Sequence, residues 1–124
     1  MKIKFRKKIW IPIIIIAAIL VIFGIYLNTY YHADNQAIKD FTADASVNAE
    51  TLDDCILYEP DDPSVGFIFY PGGKVEYTAY EPLMQELADN GILCILVKMP
   101  FNLAVFNADA ADQYTDQYSQ IKHW

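Results

Sequence analysis

The fold is decided by the stretch VGFIFYPGGKVEYTAYEPLMQELADNGILCILVKMPF, which covers residues 65–101. It begins with an apolar run at residues 65–70, which has the length and composition of a β-strand. A turn with two glycines follows at residues 71–74, and the amphipathic segment after it ends at Gly91. A second apolar run at residues 92–98 completes a strand–helix–strand pattern, so the sequence predicts a βαβ unit in a parallel sheet.

The helix of this unit has one apolar face. Pro82 suits only the first turn of a helix, and Gly91 suits the position just after the last turn. Both flanking strands are apolar at consecutive positions, which predicts that helices cover each of them on both faces. The apolar face of the helix is predicted to bury Tyr80, Leu83, Met84, Leu87 and Ala88.

Residues 9–27 form an uninterrupted apolar run without charge. A helix of this length rises about 28 Å, close to the ~30 Å hydrocarbon thickness of a membrane. Cleavable signal peptides have a shorter apolar core and a small-residue cleavage site, so we expect a retained transmembrane signal anchor. A buried core helix would not be apolar on every face over such a length.

The basic residues ahead of this run predict its orientation, because they stay on the cytoplasmic side of a first membrane helix. We expect a cytoplasmic tail at residues 1–8 and an extracytoplasmic C-terminal part, in a single-pass protein of the cell membrane. All 16 acidic residues lie beyond the anchor with four basic ones, a formal charge of −12. We expect no binding of nucleic acid, which needs a basic face. The tail contains Lys2, Lys4, Arg6, Lys7 and Lys8.

Beyond the anchor, the sequence predicts a juxtamembrane helix at residues 28–45 and one α/β domain at residues 46–124. Apolar and aromatic residues recur near helical spacing in the first segment, and its tyrosines favour the membrane interface. The further elements predicted in the domain are strands at residues 46–51 and 55–59 and a helix at residues 108–118, with Asn107 as its N-cap.

The two cysteines, Cys55 and Cys94, have neither metal-binding nor redox spacing. Both lie in predicted strands, where a small buried thiol is common, and a disulfide in an exported domain is the less favoured alternative. No spaced cluster of carboxylates occurs, so we expect no metal site and no cofactor.

The turn at residues 71–74 is compatible with several functions. A P-loop would need G-x-x-x-x-G-K-[ST], and a dinucleotide site would need G-x-G-x-x-G, and neither motif is present. An oxyanion hole is possible by contrast, because its backbone N–H groups need only a permissive backbone and close approach to the acyl oxygen. The other interpretation is a strand-to-helix turn without a catalytic role, and the turn alone favours neither.

A wider set of motifs resembles the N-terminal part of the α/β-hydrolase family, and within it a bacterial membrane-anchored branch. The motifs are FYPGGKV at residues 69–75, YEPL at 80–83, GILC at 91–94 and VKMPFNLA at 97–104.

This resemblance covers residues 46–124. It implies an α/β fold in which an N-terminal transmembrane helix precedes an incomplete α/β-hydrolase sheet of about four strands with two covering helices. It also implies that Gly73 or Lys74 offers an oxyanion N–H, and that Gly72 allows the turn to form.

The sequence departs from the family in its catalytic residues. The nucleophile elbow G-x-S-x-G does not occur, and the family order of serine, acid and histidine excludes both His32 and His123 from catalysis. We therefore expect no catalytic residue in this chain. The family's sheet order would place a further strand beside residues 65–70, and residues 121–124 resemble its approach, so we expect an N-terminal fragment of a longer protein.

The function implied for the complete form is that of a membrane-anchored serine hydrolase of ester or related acyl substrates. Its expected partners are the lipid bilayer, through the anchor, and a small acyl substrate. The alternative is a non-enzymatic anchored ectodomain that binds a protein partner, for example by strand addition at the open edge of the sheet.

Overall fold

The computed structural model describes residues 3–124, so Lys2 of the predicted cytoplasmic tail lies outside the described residues. Four strands form one mixed sheet in the order β1-β2-β4-β3. β3 and β4 are parallel, and β2 is antiparallel to both of its neighbours. Together with helices on its faces, this sheet confirms the predicted incomplete α/β fold. The strands are β1 (Ala49–Thr51), β2 (Cys55–Tyr58), β3 (Gly66–Phe69) and β4 (Leu93–Val97).

Strand β4 lies between β2 and β3, and all five of its residues are buried. Leu93, Ile95 and Val97 belong to one core cluster, whereas Cys94 and Leu96 belong to the other. Helix α4 (Ala110–Gln117) covers the first cluster and helix α3 (Glu81–Asp89) covers the second. Successive side chains of a strand point to opposite faces, so a strand covered on both sides must be apolar throughout.

Strand β3 differs from the prediction of full burial. Gly66 is buried, but the Phe67 side chain is 37% exposed, and Ile68 and Phe69 are half-buried. The cause is position, because among the described residues β3 pairs along its length only with β4. On its other side, Lys122 N–H donates to Ser64 O at 3.1 Å and Gly66 N–H donates to His123 O at 2.8 Å, which brings His123 alongside Val65 in parallel.

Helix α3 begins and ends as predicted, with Pro82 in its first turn and Gly91, at φ 87°, after its last. The buried face is partly different from the predicted one: Leu83 is 45% exposed, whereas Gln85 is 4% exposed. Burial of Gln85 is tolerated because its Nε2 donates to Val47 O at 2.8 Å and to Asp89 Oδ1 at 3.0 Å. Met84 and Ala88 are buried, as predicted, and Tyr80 and Leu87 pack against them half-buried.

The last helix starts later than predicted. Residues Ala104–Asn107 form a 3-10 turn, so Asn107 is not an N-cap and α4 begins only at Ala110. Asp109 takes the N-cap position without a side-chain hydrogen bond to the helix. Sequence spacing alone does not separate a 3-10 turn from the first turn of the α-helix that follows.

Helix α1 spans Ile3–Asn28 and contains a segment, Lys8–Asn28, that is long and apolar enough to cross a membrane. None of that segment is buried against the rest of the chain. The chain leaves the helical conformation after Asn28, and helix α2 is confined to Asn35–Thr42. The helix predicted over residues 28–45 is therefore shorter in the structure, and it is not continuous with α1.

A side-chain cap explains where α2 begins. Asp34 Oδ1 accepts hydrogen bonds from the backbone N–H groups of Gln36 and Ala37, each at 3.1 Å. Such a cap satisfies donors that the first helical turn leaves without partners. Between the two helices, Tyr31 adopts an extended conformation and pairs with Val75.

Both cysteines are buried free thiols. Cys55 lies opposite Val97 and Cys94 lies opposite Tyr58, so the two cysteines are at opposite ends of the β2–β4 ladder. They also belong to the core clusters on opposite faces of the sheet. This geometry excludes a disulfide between them in the folded chain and agrees with the prediction of buried thiols.

Candidate oxyanion site

The glycine-containing turn follows β3 at its carboxyl end, next to the loop that follows β4. Val75 N–H donates to Gly72 O at 3.2 Å, which closes a four-residue turn from Gly72 to Val75. Lys74 N–H donates to Asn102 O at 2.9 Å, which joins this turn to the loop after β4. The carboxyl ends of parallel strands are where α/β folds place their sites, so the two loops together form the candidate site.

The backbone N–H groups of Gly72, Gly73 and Lys74 differ in whether they have a hydrogen-bond partner. Gly72 N–H donates to the Tyr80 hydroxyl at 3.2 Å, and Lys74 N–H is held by Asn102 O. Within residues 3–124, Gly73 N–H donates no hydrogen bond, and Gly73 is exposed. Of the two predicted oxyanion donors, Gly73 is thus available to a ligand, whereas Lys74 N–H becomes available only if the contact with Asn102 opens.

Neither Gly72 nor Gly73 has a left-handed backbone. The residue with positive φ in this turn is Lys74, at 64°, in the third position, where a type II turn normally has glycine. A Cβ atom on Gly72 would lie 2.7 Å from the Tyr80 hydroxyl, whereas one on Gly73 would meet only Leu103, at 3.6 Å. Gly72 is therefore required by the close approach of Tyr80, and Gly73 leaves the surface of the turn open.

The turn is also joined to the segment that follows α1. Tyr31 N–H donates to Lys74 O at 2.8 Å, and Glu76 N–H donates to Tyr31 O at 2.9 Å. The Glu76 carboxylate accepts from Ala33 N–H at 2.9 Å and lies 3.4 Å from His32 Nδ1. These contacts attach the turn to the chain a few residues beyond the candidate membrane span.

The Lys74 side chain strengthens this attachment. Its Nζ donates to the backbone oxygen of Tyr26 in the last turn of α1, and it lies 4.1 Å from the centroid of the Tyr26 ring. A cation at a helix C-terminus is favoured by the partial negative charge of the last carbonyl groups. A cavity of about 470 Å³ opens here, and it is lined by Tyr26, Thr29, Tyr30, Tyr31 and Lys74.

The loop after β4 presents apolar side chains to solvent. Phe101, Val105 and Phe106 are exposed, and the rings of Phe101 and Phe106 meet edge to face with centroids 5.8 Å apart. Phe101 and Asn102 both have positive φ, at 53° and 54°. Asparagine tolerates this conformation better than most residues, whereas a phenylalanine is rare in it.

The structure places both histidines and Ser46 away from the turn or in structural roles. His123 lies at the amino end of β3, at the opposite end of the strand, and His32 contacts Glu76. Ser46 donates its hydroxyl to Asp89 Oδ1 at 2.8 Å, which helps lower the pKa of that carboxyl. Burial raises the pKa of the Cys94 thiol to about 12, so it is a poor nucleophile at neutral pH. In the part of the chain that the structure describes, no group of three or more His, Cys, Asp or Glu residues could hold a metal ion.

Three residues around the turn were not singled out as site residues from the sequence. Tyr80 was assigned to the buried face of α3, yet its hydroxyl also accepts from Gly72 N–H. The backbone of Asn102 holds Lys74 N–H, and the backbone of Tyr31 holds Lys74 O. Backbone contacts carry no side-chain pattern, so among these only the left-handed preference of asparagine was a usable indication.

Comparison with known proteins agrees with this geometry. The model of the alpha/beta hydrolase family matches residues 66–124, from the start of β3 through α4. No match was found among curated proteins or solved structures. The resemblance inferred from the sequence motifs is confirmed over the matched residues, and the chain is hydrolase-like there. Residues 66–124 therefore match the alpha/beta hydrolase family, and this is the family that this part of the chain resembles.

Proposed function

We propose that this chain contributes the membrane anchor, the first strands and one oxyanion donor of a serine hydrolase that acts on ester or related acyl substrates. The observation that carries the proposal is the exposed Gly73 N–H, without a partner in residues 3–124, on the turn at the carboxyl end of β3. The family match over residues 66–124 supports the reaction class. The pairing of His123 beside Val65 supports a hydrolase-like continuation of the sheet past β3.

The chemistry follows from the charge that develops in acyl transfer. When a nucleophile attacks an ester carbonyl, the carbonyl oxygen gains negative charge, and fixed N–H donors stabilise it more than they stabilise the ground state. One such donor contributes about 10²–10³-fold in kcat. The serine, acid and histidine of the triad would come from sequence after residue 124, since no G-x-S-x-G motif lies within the chain.

The proposed location follows from α1. Residues 9–27, within the candidate span, would cross the cell membrane once, with residues 1–8 in the cytoplasm and residues 46–124 outside it as the hydrolase-like domain. The proposed partners are the bilayer around α1 and a small acyl substrate near Gly73, and the acidic domain makes nucleic acid an unsuitable ligand.

The first test is the intact mass of the protein isolated from the membrane fraction of its source. A mass well above 14.2 kDa supports the hydrolase, and a fluorophosphonate probe should label that longer protein. The 124-residue chain alone should not be labelled. Labelling of that short chain would contradict the assignment of the nucleophile to later sequence.

The second test concerns the oxyanion donor in the longer protein. Gly73→Pro removes the N–H, and we expect kcat to fall by about 10²–10³-fold with little change in KM. Gly73→Ala is the matched control, because it keeps the N–H and its Cβ atom meets only Leu103. Full activity of Gly73→Pro would refute the role of Gly73.

A second candidate function is supported by the edge of β3. Beyond its contact with His123, the outer edge of β3 is unpaired within the described residues, and Phe67 is 37% exposed there. A non-enzymatic ectodomain could accept a partner's strand at this edge. This function would be favoured if the full 14.2 kDa chain is monodisperse in detergent and unfolds cooperatively. Aggregation of the chain would favour a fragment.

A further inference from the structure

The loop after β4 has a surface unlike that of the rest of the domain. Residues 99–108 contain no charged residue, whereas the chain beyond the anchor has 16 acidic residues. We call residues 100–107 the apolar loop. Its Phe101, Val105 and Phe106 side chains are 54%, 77% and 49% exposed. Single exposed apolar residues are ordinary, but three in one uncharged loop indicate a contact surface.

The apolar loop lies close to the end of the candidate membrane span. Its Asn102 accepts a hydrogen bond from Lys74 N–H, and Lys74 Nζ donates to the backbone oxygen of Tyr26. Tyr26 is in the last turn of Lys8–Asn28. One residue, Lys74, therefore separates the apolar loop from the end of α1, where an extracytoplasmic membrane surface would begin.

The charges around the apolar loop favour a lipid surface. Lys98 lies two residues before it and is exposed, and Lys74 bonds to it, so two of the four basic residues beyond the anchor flank this surface. Basic residues beside exposed aromatic ones suit the lipid headgroup region, where aromatic rings and cations are both favoured.

The backbone of the apolar loop holds its aromatic side chain outward. Phe101 and Asn102 both have positive φ, a conformation that is costly for phenylalanine, and Phe101 is nevertheless exposed. Strained residues tend to persist at contact and functional sites.

We propose that the apolar loop docks into the boundary between headgroups and acyl chains of the bilayer that α1 spans. The inference rests on the membrane anchoring in the proposed function. It places the carboxyl end of the sheet, with Gly73, towards the lipid, and the amino end of β3 away from it. Interfacial apolar groups enter this boundary to a depth of about 5–10 Å.

Tryptophan quenching by brominated lipids tests this orientation in the full chain. The chain has two tryptophans: Trp10 in the span, and Trp124 at the far end of the sheet, where its ring covers Gly66. Three single-tryptophan proteins are placed in bilayers of phosphatidylcholine and phosphatidylglycerol, with phosphatidylcholine brominated near its headgroup. The first is Trp124→Phe, the second is Trp10→Phe, and the third combines both changes with Val105→Trp.

The expected result is strong quenching of Trp10 and of the tryptophan at position 105, with Trp124 unquenched. Position 105 is 77% exposed, so the substitution removes little packing, and Phe106→Trp in the same background is the second reporter. Emission of the position-105 tryptophan should also shift to shorter wavelength relative to that of a water-exposed indole.

The outcomes separate the two proposals. If Trp10 is not quenched, α1 is not in the bilayer and the anchoring itself fails. If Trp10 is quenched while the tryptophans at 105 and 106 are not, the docking proposal is overturned and the anchor stands. A short-wavelength emission at 105 without quenching by lipid would mean that protein, such as a second copy of the chain, covers the loop, which also overturns the proposal.

Discussion

Strands β3 and β4 are neighbours of similar apolar composition, yet they differ in burial. Leu93–Val97 is fully buried, with a paired strand on each side and a helix on each face. Within residues 3–124, Gly66–Phe69 has a full-length partner on one side only, and Phe67 is 37% exposed. The difference shows that an apolar sequence identifies a strand, whereas the strands and helices packed around that strand determine how much its apolar side chains stabilise the fold.

The largest expected effect tests this difference directly. Leu96→Ala should lower the free energy of unfolding by about 2–5 kcal/mol, because Leu96 is fully buried between β2 and β3. Phe67→Ala should cost about 1–2 kcal/mol, because much of its ring already contacts solvent. Urea unfolding of the full chain in detergent, followed by circular dichroism, measures both. Equal costs would contradict the comparison.

A smaller effect is expected where β3 meets the last residues. A Cβ atom on Gly66 would lie 2.5 Å from the Trp124 ring, so Gly66→Ala should destabilise the chain by roughly 1–3 kcal/mol. The cost should largely disappear in a Trp124→Ala background, because the colliding ring is gone. Trp124 fluorescence reports the environment of the ring in Gly66→Ala, and urea unfolding measures the cost of Gly66→Ala with and without Trp124. An undiminished cost in the double variant would mean that the ring is not the cause.

The turn after β3 offers a matched pair of glycines. Gly72→Ala should cost about 1 kcal/mol, because its Cβ atom displaces the Tyr80 hydroxyl from Gly72 N–H. Gly73→Ala should be nearly neutral, since only ordinary contact with Leu103 is added. Thermal unfolding of the two variants side by side is the measurement. A reversed order would contradict the close approach of Tyr80.

The smallest expected effect concerns the end of α3, the helix that covers one face of β4. Asp89 Oδ1 accepts from Ser46 Oγ, from the N–H groups of Ser46 and Val47, and from Gln85 Nε2. The Ser46 hydroxyl bond is the main cause that lowers the pKa of Asp89 below 3.8. Because the folded pKa is below the unfolded one, this stabilisation is complete above the unfolded pKa and is lost as pH falls through the folded pKa.

Asp89→Asn should therefore reduce stability slightly at pH 7 and leave it unchanged once the pH is below the folded pKa. Asp116→Asn, at an exposed position in α4, is the control. Melting temperatures measured between pH 7 and pH 2 give both profiles. A stability difference that persists at the lowest pH would mean that the carboxylate charge is not responsible.

Much of the fold was predictable, because its elements have strong local patterns. The unbroken apolar run of β4, the glycine stop at Gly91 and the proline at the start of α3 each have one local physical cause. The helices and strands of residues 49–97 appear in the predicted order. Residues 121–124 were predicted to approach a position beside residues 65–70, and His123 does pair with Val65 there.

The incorrect predictions share one cause, which is contacts between residues that are distant in the sequence. Burial of Gln85 is tolerated because Val47 supplies an acceptor from far along the chain, and Leu83 is exposed instead. The helix after α1 is interrupted because Tyr31 pairs with Val75. At the candidate site, the positions of Tyr80 and Asn102 determine that the N–H groups of Gly72 and Lys74 are occupied, and no local pattern encodes those positions.

The pairing of Tyr31 with the turn has a mechanical consequence. Tyr31 follows the end of α1 by three residues and is held on both sides, by Lys74 O and by Glu76 N–H. Only two residues connect α1 to Tyr31, and they allow little movement. A change in the tilt of α1 must therefore either change the backbone of these two residues or displace Lys74. Helix tilt responds to bilayer thickness. With α1 in a membrane, as proposed, the geometry around Gly73 would be mechanically coupled to the thickness of that membrane.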